Sequence, residues 1–309
     1  MNSSTISRAA IAAVLLSVIV VAPAEATVDH TYVSGTGTDT GGCISPASAC
    51  RTFAYALTQT SAAGEIIVLN PADYSPVTIT KSVSIVADGG GPAGIILAAG
   101  NAITINARST DVVNLRGLTL DGEGTAYSGI VLNSAGSLTI TDCVVRHFTL
   151  VAGILLQPSG GMNFRISDTT SDNATNGLVL QQSSGAVEGV IDRFKATNDN
   201  GGIFIGSYGG ATNVTILNSV MSHDGEGLDT FGQYTTVTVR NSAADYNSGY
   251  GFTAQGSATL ILSDSIAIGN SVAGIYITPS SKVLSYGDNG INGNGTDVSG
   301  GTLTSIEKQ

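Results

Sequence analysis

The chain has 309 residues with 12 Lys and Arg against 23 Asp and Glu, a net charge of −11 that argues against nucleic acid and against anionic membrane surfaces as partners. Charged residues make up 11%, about half the usual share, while Gly reaches 40, so long surface helices are excluded and short strands with many turns are expected. There is no Trp, and the three Cys are too few for a disulfide scaffold.

The N-terminus reads as an export signal. Arg8 precedes an apolar run from Ala9 to Val21, and Ala24-Glu25-Ala26 supplies a cleavage site, so residues 1–26 are expected to be removed before Thr27. No later stretch approaches the roughly 20 apolar residues of a membrane span, so a secreted or periplasmic protein without a transmembrane segment in its mature chain is expected. In that oxidising setting Cys43 and Cys50, close together in a Gly/Ser/Pro-rich segment, are expected to pair. Cys143, in Thr141-Asp142-Cys143-Val144-Val145, reads as a buried free thiol.

Phe53, Ala56 and Leu57 fall on one helical face and predict a short helix within Arg51–Thr60. Residues 27–64 are read as an N-terminal cap. Strand-like pieces follow at 65–69, 77–79, 83–86, 95–97, 103–105 and 112–120. From Gly129 a phrase of Gly followed by alternating residues recurs, beginning at Gly129, Gly153, Gly177, Gly202, Gly227, Gly251 and Gly274, at steps of 24, 24, 25, 25, 24 and 23. Such a period belongs to a solenoid. A second strand lies between the phrases, as in Leu138-Thr139-Ile140 and Val214-Thr215-Ile216, and a third segment carries Cys143, Thr169, Phe194, Ser219, Ser242 and Ser265. Three strands per coil predict an all-β, single-stranded right-handed parallel β-helix with an N-terminal capping helix, its coils spanning 65–285. Ile130, Ile154, Leu178, Ile203, Leu228, Phe252 and Ile275 form one inward column. The Gly/Asn/Asp-rich stretch from Asp288 to Gly301 is expected to break the strand pattern within a C-terminal cap and tail at 286–309.

The chain resembles the bacterial right-handed parallel β-helix repeat proteins of the pectin-lyase-like superfamily, including uncharacterised exported members. The resemblance rests on Cys43 to Cys50, the helix start Arg51-Thr52-Phe53-Ala54, Val77-Thr78-Ile79-Thr80-Lys81-Ser82 and Ser285-Tyr286-Gly287-Asp288-Asn289. It implies the fold over residues 27–309, and a superfamily of lyases, hydrolases, epimerases and non-enzymatic binding proteins. The Trp-x-Asp-His phrase of pectate lyases is absent. So are the Asn-Thr-Asp, Asp-Asp, Gly-His-Gly and Arg-x-Lys signatures of polygalacturonases.

Several ladders carry candidate chemistry. His147, Asn173, Asn198, His223, Asn247 and Asn270 precede the Gly phrases and are read as an internal Asn ladder with two His substitutions. Asp199 and Asp224 share the next position in adjacent coils, with Glu226 and Asp229 close behind, and are expected to form an exposed carboxylate cluster. Such a cluster suits Ca²⁺ held through Asp199, Asp224 and Glu226, or acid and base roles in glycosidic cleavage, and ordinary turn chemistry explains it equally. Arg193 sits one coil from Asp168; a salt bridge accounts for both, and the lyase use of a basic proton acceptor keeps Arg193 and Lys195 in view. Phe204, Tyr208, Phe231, Tyr234 and Tyr276 fall on or beyond one sheet face and form a candidate sugar-contacting stripe. Three functions stay open: an exported, non-catalytic binder of a cell-surface or extracellular polysaccharide, a polysaccharide lyase or glycoside hydrolase, and a structural or adhesion rod.

Overall fold

The computed structural model describes residues 28–89 and 91–308; the expected export signal lies outside the described residues. Alternation of inward apolar and outward polar residues builds three parallel sheets, of twelve, nine and ten strands, and from Val77 onward successive strands visit the three in turn. The result is a parallel β-solenoid. The inward column from Ile130 to Ile275 is in register from coil to coil. Its seven side chains are at most 2% exposed.

Two corners of each coil are single residues in left-handed conformation. Asp142, Asp168, Arg193, Asn218, Asn241 and Asp264 turn the chain from the twelve- to the nine-stranded sheet, with φ of 47–53°. Two strands replace the single stretch expected at 112–120, because Gly117, with φ of 70°, makes the same corner. His147, Asn173, Asn198, His223 and Tyr246 turn it into the ten-stranded sheet, with φ of 55–62°. Asn, Asp and His tolerate this region better than most residues, which accounts for much of the sequence in both columns.

A buried polar ladder follows each corner. After the first, Ser219, Ser242 and Ser265 hydroxyls accept the backbone N–H of Phe194, Ser219 and Ser242 at 3.1–3.3 Å. After the second, Asn247, Asn270 and Asn294 do the same with side-chain carbonyls, and their amides also bond one another at 2.9 Å. The sequence expectation for this ladder was therefore out by one residue over part of its length. Asn247 and Asn270 belong to it, whereas His147, Asn173, Asn198 and His223 are the outward-facing corner column.

The glycines of the repeated phrase are explained by the same ladder. A Cβ on Gly177, Gly202 or Gly251 would lie 2.5–2.8 Å from the ladder side chain of Asp199, Asp224 or Asn270. Among the described residues one α-helix is present, Phe53–Gln59, capped by Thr52, with Phe53, Ala56 and Leu57 buried. It packs at the N-terminal end, where the Phe53 and Tyr74 rings lie 4.9 Å apart. Cys43 and Cys50 are bridged there, with Cα atoms 5.3 Å apart. At the other end Gly290–Asn292, Val298–Ser299 and Thr304–Ser305 each add a short strand to one sheet. The Gly/Asn/Asp-rich stretch thus continues the coil in degenerate form instead of breaking it.

Candidate functional site

The four acidic candidates separate into two places. Asp199 and Asp224 are 3% and 2% exposed and occupy two adjacent rungs of the internal Asn ladder. Asp199 Oδ1 accepts the Ala174 N–H at 2.6 Å, and Asp224 Oδ1 accepts the Asp199 N–H at 2.9 Å. The expected exposed cluster is therefore corrected: inward alternation after the left-handed corner takes both carboxyls out of solvent. Their Oδ2 atoms have no hydrogen-bond partner. In the Asn rungs the equivalent amides donate to the carbonyls of Met221 and Ala244. Burial pushes the Asp199 carboxyl up to about 8 and Asp224 up to about 7, with repulsion from Asp224 adding to the first. A protonated Asp is close in shape to Asn, and in that form each keeps the ladder intact.

Glu226 and Asp229 instead lie on the outer face of the ten-stranded sheet. The Ca²⁺ arrangement expected through Asp199, Asp224 and Glu226 is not assembled, because the first two face inward, and among the described residues no three His, Cys, Asp or Glu side chains converge on a metal position. Asp229 occupies an outward column in register with Phe204 before it and with Thr253 and Tyr276 after it. At about 4.8 Å per rung, that row is about 14 Å long. The neighbouring outward column is Gly206, Phe231 and Gln255. Gln255 reaches diagonally and donates its amide to both Asp229 oxygens at 3.1 Å. Half-buried between these neighbours, Asp229 is pushed up to about 6 by desolvation, with Glu226 repulsion adding and the Gln255 bond opposing. Burial also raises Glu226.

The aromatic candidates flank this acid. Tyr208 and Phe231 pack at 5.4 Å between centroids, and Tyr276 stacks on Tyr250 at 4.7 Å. Tyr208 and Tyr234, in the turns that leave the sheet, are 60% and 49% exposed. Phe204 lies over Gly206, whose missing side chain leaves room for the ring. Sequence reasoning missed Gln255 and Tyr250. Periodicity places Gln255 in the outward column of Phe231 but does not pair it with Asp229.

The remaining candidates lie elsewhere. Arg193 forms a corner between the other two sheets, with Nη2 2.7 Å from Asp168 and Nη1 2.6 Å from Asp192. It does not face Glu226 or Asp229, and its carboxylate partners raise its proton affinity further. Lys195 is exposed on the nine-stranded sheet. Cys143 is buried, and desolvation pushes its thiol up to about 12. His147 Nδ1 lies 2.9 Å from Asp121, which also holds Arg146 at 2.8 Å. A shallow groove of about 470 Å³ lies on the twelve-stranded sheet, lined by Glu188, Asn213, Thr215 and Thr238 among others. The one aromatic residue that lines it, Phe164, is 4% exposed and stands in the column of buried Leu138, so no ring is presented to a ligand there and we place the candidate site on the ten-stranded sheet.

A family model described as "right handed beta helix region" matches residues 152–307, and the chain belongs to that family of right-handed parallel β-helices. Among solved structures, the crystal structure of pectate lyase Pel9A is similar over 92% of this chain and 78% of that one, at 16% identity and a TM-score of 0.57. The A-module of mannuronan C-5 epimerase AlgE6 from Azotobacter vinelandii aligns with 80% of this chain and 91% of that one, at 17% identity and a TM-score of 0.42. A search of the curated proteins gave no significant match. The likeness to the pectate lyase structure is one of fold. Among the described residues no helix is long and apolar enough to cross a membrane.

Proposed function

We propose that this protein is an extracytoplasmic β-helix that binds a polysaccharide on the outer face of its ten-stranded sheet, without cleaving it. The observation that carries the reading is the row Phe204, Asp229, Thr253 and Tyr276, flanked by the Tyr208–Phe231 and Tyr250–Tyr276 ring pairs. Rings offer apolar faces to the C–H surfaces of sugars, and the Asp229 carboxylate and Gln255 amide between them bond sugar hydroxyls, while Thr253, 1% exposed, is covered by its neighbours. The fold shared with a pectate lyase supports a carbohydrate ligand. The Cys43–Cys50 bridge supports an oxidising compartment. A glycan array tests the reading: the parent should retain at least one polysaccharide, and Phe231→Ala with Tyr276→Ala should lose it. A parent that retains none refutes it.

A second reading is favoured by one observation. Asp229, raised to about 6, oriented by Gln255 and close in sequence to Glu226, has the properties of a general acid beside a second carboxylate. In that case Asp229 protonates the leaving glycosidic oxygen while Glu226 takes a proton from a water that attacks the anomeric carbon, so the new C–O bond forms as the glycosidic bond breaks. New reducing ends from a bound glycan, lost in Asp229→Asn, would establish catalysis; an intact glycan after prolonged incubation leaves the protein a binder.

A further inference from the structure

We infer that the ligand of this face is a neutral glycan chain and not a polyuronate; the inference rests on the binding reading above. The ten strands of the sheet contain no Lys, Arg or His, and their charged residues are Glu226 and Asp229 alone. The turns that enter and leave the sheet between residues 134 and 281 also lack Lys and Arg; their only basic residues are His147 and His223, both in corners. Lys81 and Arg108 stand in the turns that leave the first two strands of this sheet, at least four coils from Asp229; the other cations of the solenoid lie on the other sheets or their shared corner, and many are tied to carboxylates, as Arg146 is to Asp121, Arg193 to Asp168 and Arg116 to Asp88.

A polyuronate laid along the Phe204–Tyr276 row would set a carboxylate on nearly every rung beside two protein carboxylates. Like charges at contact distance repel even in water-like dielectric, and more strongly where the site is half-buried. Calcium does not relieve this readily, because both Asp229 oxygens accept from Gln255 and no third ligand converges there among the described residues. An uncharged chain meets the opposite situation. Its hydroxyls donate to the Asp229 and Glu226 carboxylates in charge-assisted hydrogen bonds, and its ring faces rest on Phe204, Phe231 and Tyr276.

The test is affinity electrophoresis of the full chain through gels containing hydroxyethylcellulose, xylan, mixed-linkage glucan or mannan, and through gels containing polygalacturonate or alginate, each with EDTA and with Ca²⁺. Retardation by at least one neutral chain and by neither polyuronate is expected. Asp229→Ala, verified by an unchanged circular dichroism spectrum and melting midpoint, should weaken the neutral interaction about tenfold, as expected for one charge-assisted bond. Equal or stronger retardation by a polyuronate, in EDTA or in Ca²⁺, overturns the inference while glycan binding stands. Retardation by no glycan of either kind overturns the binding reading and the inference with it.

Discussion

Replacing both Asp199 and Asp224 by Asn is predicted to stabilise the protein, and to do so chiefly at neutral and alkaline pH. The two carboxyls hold adjacent rungs of a ladder whose following rungs are Asn247, Asn270 and Asn294. Their folded values of about 8 and about 7 lie well above the ~3.9 of an Asp in an unfolded chain. Between about pH 4 and pH 8 the folded protein thus holds protons that the unfolded chain releases, so stability is greatest in acid and falls as pH rises through that window. Protons held roughly a thousandfold (Asp224) and ten-thousandfold (Asp199) more tightly by the folded state correspond to losses of about 4 and about 5–6 kcal/mol once both states have ionised; relaxation and water entry reduce them, leaving on the order of 2–4 kcal/mol for the pair. The Asn amide cannot ionise and supplies the donor that the unpartnered Oδ2 lacks. At ~2–4 °C per kcal/mol, the double variant should melt about 5–10 °C above the parent at pH 8, and within a few degrees of it at pH 4.5. Thermal melts followed by circular dichroism across pH 4–9 measure both arms. A parent midpoint that does not fall between pH 4 and 8, or a double variant less stable than the parent at pH 8, would refute the placement of these carboxyls on the ladder.

Three further outcomes follow from the packing. Leu178→Asp should leave the protein insoluble or unfolded, because it buries an unpaired charge in the continuous inward column; a soluble variant with the parent's melting midpoint contradicts the register. Thiol titration should find one free thiol in the denatured, unreduced protein and almost none in the native one, since Cys43 and Cys50 are bridged and Cys143 is buried with its thiol pushed up to about 12; three titratable thiols after denaturation contradict the bridge. Gly177→Ala should destabilise the protein by on the order of 1–3 kcal/mol, because its new Cβ would lie 2.5 Å from the Asp199 carboxyl; a melting midpoint equal to the parent's contradicts the close approach.

The fold was legible because one residue per coil must be small and the next must be apolar, and that pairing recurs from Gly129-Ile130 to Gly274-Ile275 with little drift. The buried ladder was harder to place. The corner column and the ladder column are adjacent and both select polar residues, the first for left-handed backbone at Asn173 and Asn198, the second for an amide reaching the neighbouring coil at Asn247 and Asn270. Small variations in coil length let the sequence reading slide from one column to the other. That slip also put Asp199 and Asp224 on the surface, and so overstated the acidic cluster. Asp229 stands in the phrase where other coils carry Val131, Leu155, Val179 and Phe204, so the repeat alone marks its outward column, and the strand places it there. Gln255 escaped notice because its partner is diagonal, one coil away and two residues along, a relation that periodicity alone does not single out.

Where the glycan sits is decided most directly by comparing two faces of the same rod, using isothermal titration with whichever glycan retards the parent most strongly. Phe204→Ala with Tyr276→Ala removes rings from the ten-stranded sheet, and Thr215→Ala with Thr238→Ala alters the groove on the twelve-stranded sheet. A ligand on the ten-stranded sheet requires the first pair to weaken binding by at least about tenfold, as expected when hot-spot rings are truncated, and the second to leave the dissociation constant within a factor of about two. Loss of binding in the groove pair, with the ring pair binding as the parent does, would contradict this placement and move the site to the other face.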